Sequence, residues 1–543
     1  MLGIILAIAM TASLVVGCGA KEESATMPEA IEEVEESATK DSVIVAMGHG
    51  SEPEAGFDPA YGWGAGEHVH EPLIQSTLLK MTTDGTYAND LAKDYDISSD
   101  FKTYTVNLRD DVKFTDGTPL TAEDVAFTFE AAKESGASLD LSALNTVEAV
   151  DDYTVQFNLN KSDSTFLDKL AYIGIVPSDS YNNETYGENP VGSGPYKFVQ
   201  WDKGQQVILE KNPDYYGKMP EVEKITILFA QNEAAFNLAK NGEADIVAVP
   251  LEYGKEKIDG YTMYLMDTID VRGVSLPNVP DTGEVSPEDN YAIGNNVTGD
   301  PAVRQALAIG IDRQELLDGA LNGYGNVSYT GVADQLPWAF DAGYKDGQVD
   351  QAKTILEQAG WKDTDGDGIR EKDGQRAEFT VYYKASAVER QAIAVTLAEQ
   401  AKDLGIEITP KGASWDEIDP DKYSQGVVWG FGSADPYSIE HQYGSDVACV
   451  GYDNPGNLKD SAVDALIDTA MAQPADASYS TWKQAAKQAT SHNSFLWIGT
   501  MDYTYFVSDD LDISNSTHLI YPHGGDIWGN IYDWKRLETN ETA

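Results

Sequence analysis

The order of polar and apolar residues predicts short strands that alternate with helices along most of the chain. Polar and apolar residues alternate in Thr103–Leu108, as in a half-buried strand. Gln206–Lys211 also predicts a strand, and residues 495–507 alternate as one longer strand. Residues 349–359 predict a long helix and residues 178–181 a short one. This alternation predicts an α/β fold, in which a mixed sheet carries helices on its faces.

Side chains that can accept a hydrogen bond from a free backbone N–H mark where several helices start. Asp116 and Gly117 supply a turn after the strand that ends at Leu108, because glycine adopts positive φ without steric cost. Thr121 then caps the next helix, with Asp124 as its capping-box partner. The same chemistry predicts further helix starts at Asp300 with Pro301, Asp312 with Glu315, Ser386 with Glu389, and Ser461 with Asp464.

Three stretches carry a resemblance to a known family. Residues 108–130 read LRDDVKFTDGTPLTAEDVAFTFE, residues 189–198 read NPVGSGPYKF, and residues 300–325 read DPAVRQALAIGIDRQELLDGALNGYG. In this order they are similar to segments of the solute-binding proteins of ABC importers, in the large family that serves peptides, opines and nickel. The match runs through strand, turn and helix, and it extends over nearly all of the chain after the leader.

The resemblance implies a two-lobed, periplasmic-binding-protein-like α/β fold of type II, in the large class with three subdomains. In that fold the chain crosses between the lobes twice, and the crossings would lie near Arg272 and near Met501. The implied segments are lobe I at residues 43–272 with an extra subdomain at 67–182, lobe II at 273–501, and a return to lobe I at 502–543.

Residues 1–18 predict a lipoprotein signal peptide. Residues 2–16 are apolar and too few to span a membrane comfortably. They lead into LVVGC, which ends at Cys18 and resembles a bacterial lipobox, whose cysteine thiol takes the lipid. Residues 1–10 contain no Lys or Arg, so a plain secretory signal or a short anchor is the alternative. Residues 19–42 are acidic and poor in aromatic residues, which predicts a disordered tether.

The charge of the chain excludes several classes of partner. Of its 543 residues, 90 are Asp or Glu and 37 are Lys or Arg, which gives a net charge of −53. Nucleic acid and anionic lipid surfaces are both bound through clusters of Lys and Arg, so neither is an expected partner. The two cysteines, Cys18 and Cys449, exclude a disulfide framework.

The positions of the seven histidines favour a metal-bearing ligand. No histidine lies between residues 71 and 440. If the C-terminal segment returns to lobe I, His68, His70 and His523 lie on one wall of the cleft and His441 lies on the other. Imidazole suits nickel, copper and zinc. Each of these residues could instead be an ordinary surface or core histidine.

The tail of the chain carries a partial resemblance to the nickel-type members of the family. Residues 518–534 read HLIYPHGGDIWGNIYDW, which is similar to the tail of those members. A second histidine of that pattern is absent after His523. The tail therefore favours His523 as a metal ligand but does not complete the pattern.

Four further residues are candidates for lining the cleft. Arg390 lies near a helix start from which, by resemblance, an arginine reaches a ligand carboxylate; pairing with an acid is the alternative. Trp429 and Trp63 could each stack on a ligand or pack in the core. Peptide-binding members of the family carry an Asp between the residues that correspond to Trp429 and Asp435-Pro436. In this chain the residues there, 432–434, are Gly-Ser-Ala. Without that Asp a buried ammonium lacks its partner, and Asp435 is left as a ligand contact or a turn residue.

Residues 363–374, DTDGDGIREKDG, resemble half of a calcium loop. Asp363, Asp365 and Asp367 occupy the first, third and fifth positions. Gly374 stands at the twelfth position, where a bidentate Glu is expected. A plain hairpin turn is therefore the favoured interpretation.

These observations predict a lipid-anchored, extracytoplasmic receptor of an ABC importer. No nucleophile–base motif, Walker loop or dinucleotide fingerprint is present, so the protein is not expected to be an enzyme or to carry a cofactor. The expected partners are the permease subunits, the ATPase through them, and a small ligand held between the lobes of a monomer. Nickel in a small chelate such as a histidine complex is the first candidate ligand, and short peptides are the second.

Two other classes of function stay open. A metal-dependent hydrolase could use the same histidines, but the chain lacks an HExxH pair or a comparable pair on a helix. A surface sensor or adhesin could use the same fold. Turnover that a chelator abolishes would indicate the hydrolase, and a permease encoded beside the protein would distinguish the importer receptor from a sensor or adhesin.

Overall fold

The computed structural model describes residues 41–48, 51–53, 56–61, 71–82, 86–135, 140–514, 521–525 and 527–537. Helices and strands alternate along these ranges, which confirms the predicted α/β class. None of the helices described is both long enough and apolar enough to cross a membrane.

The elements are numbered in chain order. The strands are β1 Ser42–Gly48, β2 Leu79–Met81, β3 Tyr87–Asn89, β4 Ala92–Ile97, β5 Thr103–Leu108, β6 Leu144–Asp151, β7 Thr154–Leu159, β8 Tyr196–Asp202, β9 Gln206–Lys211, β10 Lys224–Ala230, β11 Ile246–Val249, β12 Tyr261–Met266, β13 Val271–Ser275, β14 Glu371–Lys372, β15 Gln375–Arg376, β16 Glu378–Lys384, β17 Glu407–Ala413, β18 Gly426–Phe431, β19 Phe495–Thr500, β20 Tyr503–Ser508, β21 Leu511–Asp512 and β22 Lys535–Arg536. The α-helices are α1 Glu71–Ile74, α2 Ala122–Ser135, α3 Leu167–Tyr172, α4 Asn232–Asn241, α5 Pro301–Gly310, α6 Arg313–Ala320, α7 Val349–Gln358, α8 Val388–Lys402, α9 Trp415–Ile418, α10 Ser438–Tyr443, α11 Ser461–Met471 and α12 Ala475–Thr490.

The first sheet joins the beginning of the described chain to a strand near its end. Its order is β12-β20-β11-β1-β10-β9-β8. The central strand β1 is parallel to β10 and β11, and β20 is antiparallel to β11 and β12. Val43 and Val45 of β1 are fully buried and pack in one hydrophobic cluster with Val507 of β20. The chain therefore leaves this sheet after β12 and returns to it at β20.

The second sheet, in the order β4-β5-β7-β6, is antiparallel and carries α2. Gly117 makes the predicted turn before α2 with a φ of 91°. Asp124 accepts a hydrogen bond from the Thr121 backbone N–H at 2.8 Å, which confirms the predicted pair. Its other carboxylate oxygen accepts from the Ser178 N–H at 2.8 Å. One buried side chain thus fixes both the start of α2 and the segment that follows α3.

Two hydrogen bonds attach the second sheet to the segments around the first sheet. The Thr115 N–H donates to the Gly192 carbonyl, which lies just before β8, at 2.9 Å. The Tyr216 hydroxyl, which lies after β9, donates to the Asp90 carboxylate at 2.7 Å. These contacts hold the second sheet to the first.

The third sheet has the order β17-β16-β18-β13-β19. Its interior is aliphatic, with Val274, Val381 and Leu496 packed against the helices α5 and α8. Arg313 at the start of α6 is buried in this region and donates from Nε to the Trp497 carbonyl of β19 at 2.6 Å.

The chain passes between the first and third sheets at two adjacent places. The first passage joins β12 to β13 and the second joins β19 to β20. The Met501 N–H donates to the Asp270 carbonyl at 2.9 Å, and the Thr268 hydroxyl donates to the Met501 carbonyl. The two passages are therefore bonded directly to each other.

Four local predictions were wrong in detail. Residues 495–507 form two strands, because the chain changes sheets at Met501 while the alternating pattern continues. Residues 178–181 form a turn rather than a helix. Helix α8 begins after Ala387 without a side-chain cap, and α11 is capped by Asp460, whose carboxylate accepts from the Ala462 N–H at 2.8 Å.

We predict that Asp124→Ala destabilises the second sheet by about 1–3 kcal/mol, since two half-buried backbone donors lose their acceptor. Urea unfolding, followed by circular dichroism, measures the change in midpoint. The matched control is Asp116→Ala, because Asp116 is exposed and accepts only from the backbone and hydroxyl of Thr118. Equal midpoints for the two variants would contradict the role given to Asp124.

Candidate functional site

The antiparallel pair of β13 and β18 places an arginine beside a glycine at the point where the chain changes sheets. Arg272 lies opposite Gly430 in the register of this pair. A Cβ atom at position 430 would collide with the Arg272 guanidinium and with the imidazole of His523, 2.6 Å from its Cε1. Because Gly430 has no side chain, Arg272 of the third sheet and His523 of the C-terminal segment can approach each other here.

Asp270 holds three donors from different parts of the chain. Its carboxylate accepts hydrogen bonds from the Arg272 guanidinium, from His523 Nδ1 at 2.9 Å and from the Tyr503 hydroxyl at 2.8 Å. Burial alone would raise the pKa of Asp270, but the charge of Arg272 and the hydrogen bonds from His523 and Tyr503 outweigh it and hold the pKa well below its usual value. Asp270 is therefore a charged acceptor buried between the two sheets.

The ionised Asp270 fixes the tautomer of His523. A carboxylate can only accept, so the hydrogen of the imidazole lies on Nδ1. The Nε2 atom of the neutral ring then has a free lone pair, and the side chain is 30 % exposed. A histidine that donates one ring N–H to a carboxylate is the usual form of a histidine that binds metal through the other nitrogen.

A second arginine lies beside Arg272. Arg390, in the first turn of α8, donates from Nη1 to the Val428 carbonyl at 3.2 Å. Burial and the neighbouring Arg272 charge lower the pKa of Arg390 to about 10. Glu389 approaches both guanidiniums, at 3.9 Å from Arg272 Nη2 and 3.8 Å from Arg390 Nε, which is beyond hydrogen-bond distance. Among the described residues the Arg272 Nε atom is buried without an acceptor.

An aromatic group supports the second arginine. The Trp415 and Trp429 rings are stacked, with centroids 5.4 Å apart and an interplanar angle of 17°. The Arg390 guanidinium lies over the Trp415 ring, 5.7 Å from its centroid. The edge of Tyr452 contacts both indoles. Trp429 is buried and donates to the Ser275 hydroxyl at 2.9 Å, so Trp415 and Tyr452 are the more exposed surfaces.

The remaining described candidates have partners elsewhere. Asp435 is buried, and its carboxylate lies 3.4 Å from Lys169 Nζ of α3. His441 Nδ1 lies 3.1 Å from an Asp453 carboxylate oxygen, and its ring edge contacts Tyr437. Trp63, His68, His70 and Cys18 lie outside the described residues.

Within the described ranges, one group of three or more possible metal ligands has donor atoms within 4.8 Å of one another, and it lies in the loop that resembles a calcium site. It consists of Asp363, Asp365, Asp367 and Glu371. Glu371 thus adds a fourth acid to the loop, although the calcium-loop pattern expects that acid at position 374. The positive charge of Arg376 already pairs with two of these acids, at 2.5 Å from Asp367 and 3.9 Å from Glu371. Neither His441 nor His523 belongs to it.

The residues around Asp270 were only partly predictable. Arg390, Trp429 and His523 were candidates from the sequence, and the structure groups His523 with Arg272 and Arg390 around Asp270 and Glu389. Asp270, Trp415 and Tyr452 stand in no motif, and Glu389 was predicted only as part of a helix start, so only the contacts between distant segments reveal them as part of this group. Arg272 was named from the sequence only as the place near which the chain crosses between the lobes.

Comparison with known proteins identifies the family of the chain. The family described as bacterial extracellular solute-binding proteins, family 5 Middle, matches residues 86–447. Protein XP55 of Streptomyces lividans is 30 % identical over 496 residues, which cover 88 % of this chain and 87 % of that protein. The oligopeptide-binding protein AppA of Bacillus subtilis is 30 % identical over 62 % of this chain and 65 % of its own length.

A solved structure has the same fold. NikZ from Campylobacter jejuni, crystallised in complex with Ni(L-His), aligns with a TM-score of 0.74 and 24 % identity, over 92 % of this chain and 100 % of that one. This similarity supports the fold, whereas the extent of the sequence matches establishes the family. The chain belongs to family 5 of the bacterial extracellular solute-binding proteins.

Proposed function

We propose that this protein is the substrate-binding component of an ABC importer and that it captures a small ligand bearing a carboxylate. Proteins of this family work with the permease and ATPase subunits of ABC transporters and bind small ligands or peptides. The observation that carries the proposal is the pair Arg272 and Arg390, two buried guanidiniums with hydrogen-bonding capacity that the described residues do not fill. A ligand carboxylate is the group that fits such a pair.

The proposed mechanism is closure of two lobes. Lobe I comprises the first and second sheets, and lobe II comprises the third sheet. The adjacent passages at Asp270 and Met501 act as the hinge, and the ligand lies between Arg390 on one side and His523 on the other. A ligand bound with a Kd of about 1 μM supplies about 8 kcal/mol, which is enough to shift an open–closed equilibrium. The closed form then delivers the ligand to the permease.

A nickel chelate, such as a nickel–histidine complex, is the first candidate ligand. The Asp270–His523 pair orients one free imidazole nitrogen toward a metal. The two arginines suit the carboxylates of the chelating amino acid. Short peptides are the second candidate, because Glu389 is half-buried and hydrogen-bonds to neither arginine, so it can pair with a ligand ammonium. Both ligand classes occur among the similar proteins.

We also propose that the chain is lipidated on Cys18 and tethered to the outer side of the membrane by residues 19–42. The lipobox-like LVVGC sequence supports this assignment. The acidic composition of the following segment suits a solvated tether.

Calorimetric titration tests the ligand class. We expect heat with nickel plus histidine, and Arg390→Gln should weaken this binding about 10- to 100-fold, because charge-assisted hydrogen bonds are lost. The matched control is Arg376→Gln, since Arg376 lies at the acidic loop and pairs there with Asp367. A panel of dipeptides and tripeptides is titrated in parallel. Heat with peptides alone would contradict the nickel assignment, and an unchanged affinity in Arg390→Gln would contradict the carboxylate site.

Replacing His523 separates the two candidate ligands. His523→Gln keeps a donor for Asp270 but removes the Nε2 ligand, so binding of nickel plus histidine should weaken by at least about tenfold. Peptide binding should change little. The control is His492→Gln, because His492 pairs with Asp460 at 2.8 Å. Equal losses in both variants would exclude a specific role of His523.

Fractionation tests the lipid anchor. We expect the full chain, expressed in a bacterium with a lipoprotein pathway, to collect in the membrane fraction. Cys18→Ser should release it to the soluble extracytoplasmic fraction, because the thiol that takes the lipid is absent. Mass spectrometry of the N-terminal peptide should show the lipid on Cys18. Membrane retention of the Cys18→Ser variant would support a signal anchor instead.

A further inference from the structure

The second sheet also contacts the third-sheet region through polar groups. The Ser164 N–H donates to the Met471 carbonyl at 3.0 Å, and its hydroxyl donates to the Ala470 carbonyl at 3.3 Å. The Tyr437 hydroxyl donates to the Asp140 carboxylate at 3.1 Å. We name this surface the 164–471 contact.

A buried lysine lies at the centre of the 164–471 contact. Lys169 Nζ is 3.4 Å from the Asp435 carboxylate across the contact and 3.8 Å from the Asp168 carboxylate on its own side. The side chains of Lys169 and Asp435 are 7 % and 5 % exposed. Asp163 and Asp140 also act electrostatically on Lys169. Four carboxyl groups therefore act on one buried ammonium, and four ionised carboxylates would carry more negative charge than Lys169 and the nearby Lys161 can offset.

Uncompensated charge in a buried surface is costly, and a carboxyl group commonly avoids this cost by binding a proton. Asp435 is the most deeply buried of the four and lies in lobe II, whereas the other three lie in lobe I. When the surfaces separate, water can solvate Asp435 and the proton is no longer required. Proton binding is thereby tied to the contact itself.

We propose that the 164–471 contact forms with uptake of one proton on Asp435, so that the two lobes are held together more tightly at acidic than at alkaline pH. This inference rests on the lobe closure of the proposed function. It adds a regulation of that closure by pH.

The direction of the effect follows from the pKa shift. Burial raises the pKa of Asp435 to about 7, against the opposing charge of Lys169. A carboxyl group whose pKa is higher in the contact than in water favours the contact as pH falls. Between about pH 7 and pH 5 the ratio of closed to open protein should rise by about five- to tenfold per pH unit for one proton. Above about pH 8 it should be constant.

Several other groups face this cluster and must be distinguished from Asp435. Burial also raises the pKa of Asp163. His441 has a raised pKa because its hydrogen bond to Asp453 outweighs its burial, and both residues lie in lobe II. The pKa of Asp140 is lowered, since its hydrogen bonds to Ser142 outweigh burial. The remaining charged or titratable neighbours are Lys161, Asp168, Glu440, Tyr87, Tyr437 and Tyr479.

Hydrogen exchange of the Ser164 amide measures the contact directly, because that N–H is bonded across it. The full chain is studied from pH 5 to pH 9 without any ligand, and the rate of an unstructured peptide at the same pH is divided by each observed exchange rate to give the protection. The resulting protection of Ser164 should rise about five- to tenfold per unit as pH falls from 7 to 5. Amides in the middle of β5 report unfolding of the second sheet and should not follow this dependence.

Two variants assign the proton. Asp435→Asn has no titrating group, so Ser164 protection should become independent of pH, within about twofold. Lys169→Met removes the ammonium that opposes proton binding and should move the midpoint of the dependence to higher pH. The matched control is Asp111→Asn, because Asp111 pairs with Arg109 on the exposed surface of lobe I, away from the contact, and should behave as the wild type.

The outcomes separate this inference from the proposed function. A flat Ser164 profile in the wild type would overturn it, and so would a steep profile that persists in Asp435→Asn, since another group such as His441 would then be titrating. If Asp435→Asn does not fold, the wild-type profile and the midpoint shift in Lys169→Met still decide. No ligand is present, so failure to bind nickel plus histidine or peptides leaves the result intact.

Discussion

One buried carboxylate, Asp270, organises both the passage between the sheets and the candidate site. Its three donors come from β13, from β20 and from the C-terminal segment at His523. Burying a carboxylate is costly, and the three hydrogen bonds that Asp270 accepts offset that cost. The backbone carbonyl of the same residue accepts from Met501 in the second passage. The position of the proposed ligand site is therefore tied to the two passages that form the proposed hinge.

Much of the fold could be predicted because its signals are local. The alternation in β5, the turn at Gly117 and the caps at Asp300 and Asp312 each depend on a few neighbouring residues, and the structure confirms them. Local signals gave the wrong element where a contact with a distant part of the chain determines the structure. Residues 495–507 keep one alternating pattern through Met501, although the chain there changes from the third sheet to the first.

The site was less predictable for the same reason. The Asp270–His523 and Arg272–Glu389 contacts join segments separated by more than a hundred residues, and no period in the sequence relates them. Resemblance to a family identified Arg390, Trp429 and His523 but could not assign their neighbours. It also left Asp435 as either a ligand contact or a turn residue, whereas the structure pairs it with Lys169 of a distant helix.

A comparison of the arginines explains why Arg272 and Arg390 stand out in such an acidic chain. Arg304, Arg313 and Arg370 are buried too, but each donates at least two hydrogen bonds to backbone carbonyls. Arg390 donates one hydrogen bond within the described residues, and Arg272 has an Nε atom without an acceptor. A buried donor without an acceptor costs free energy comparable to a lost hydrogen bond. Within the described residues the chain retains this cost at Arg272, beside an Arg390 that donates one hydrogen bond, and the carboxylate ligand proposed above would relieve it.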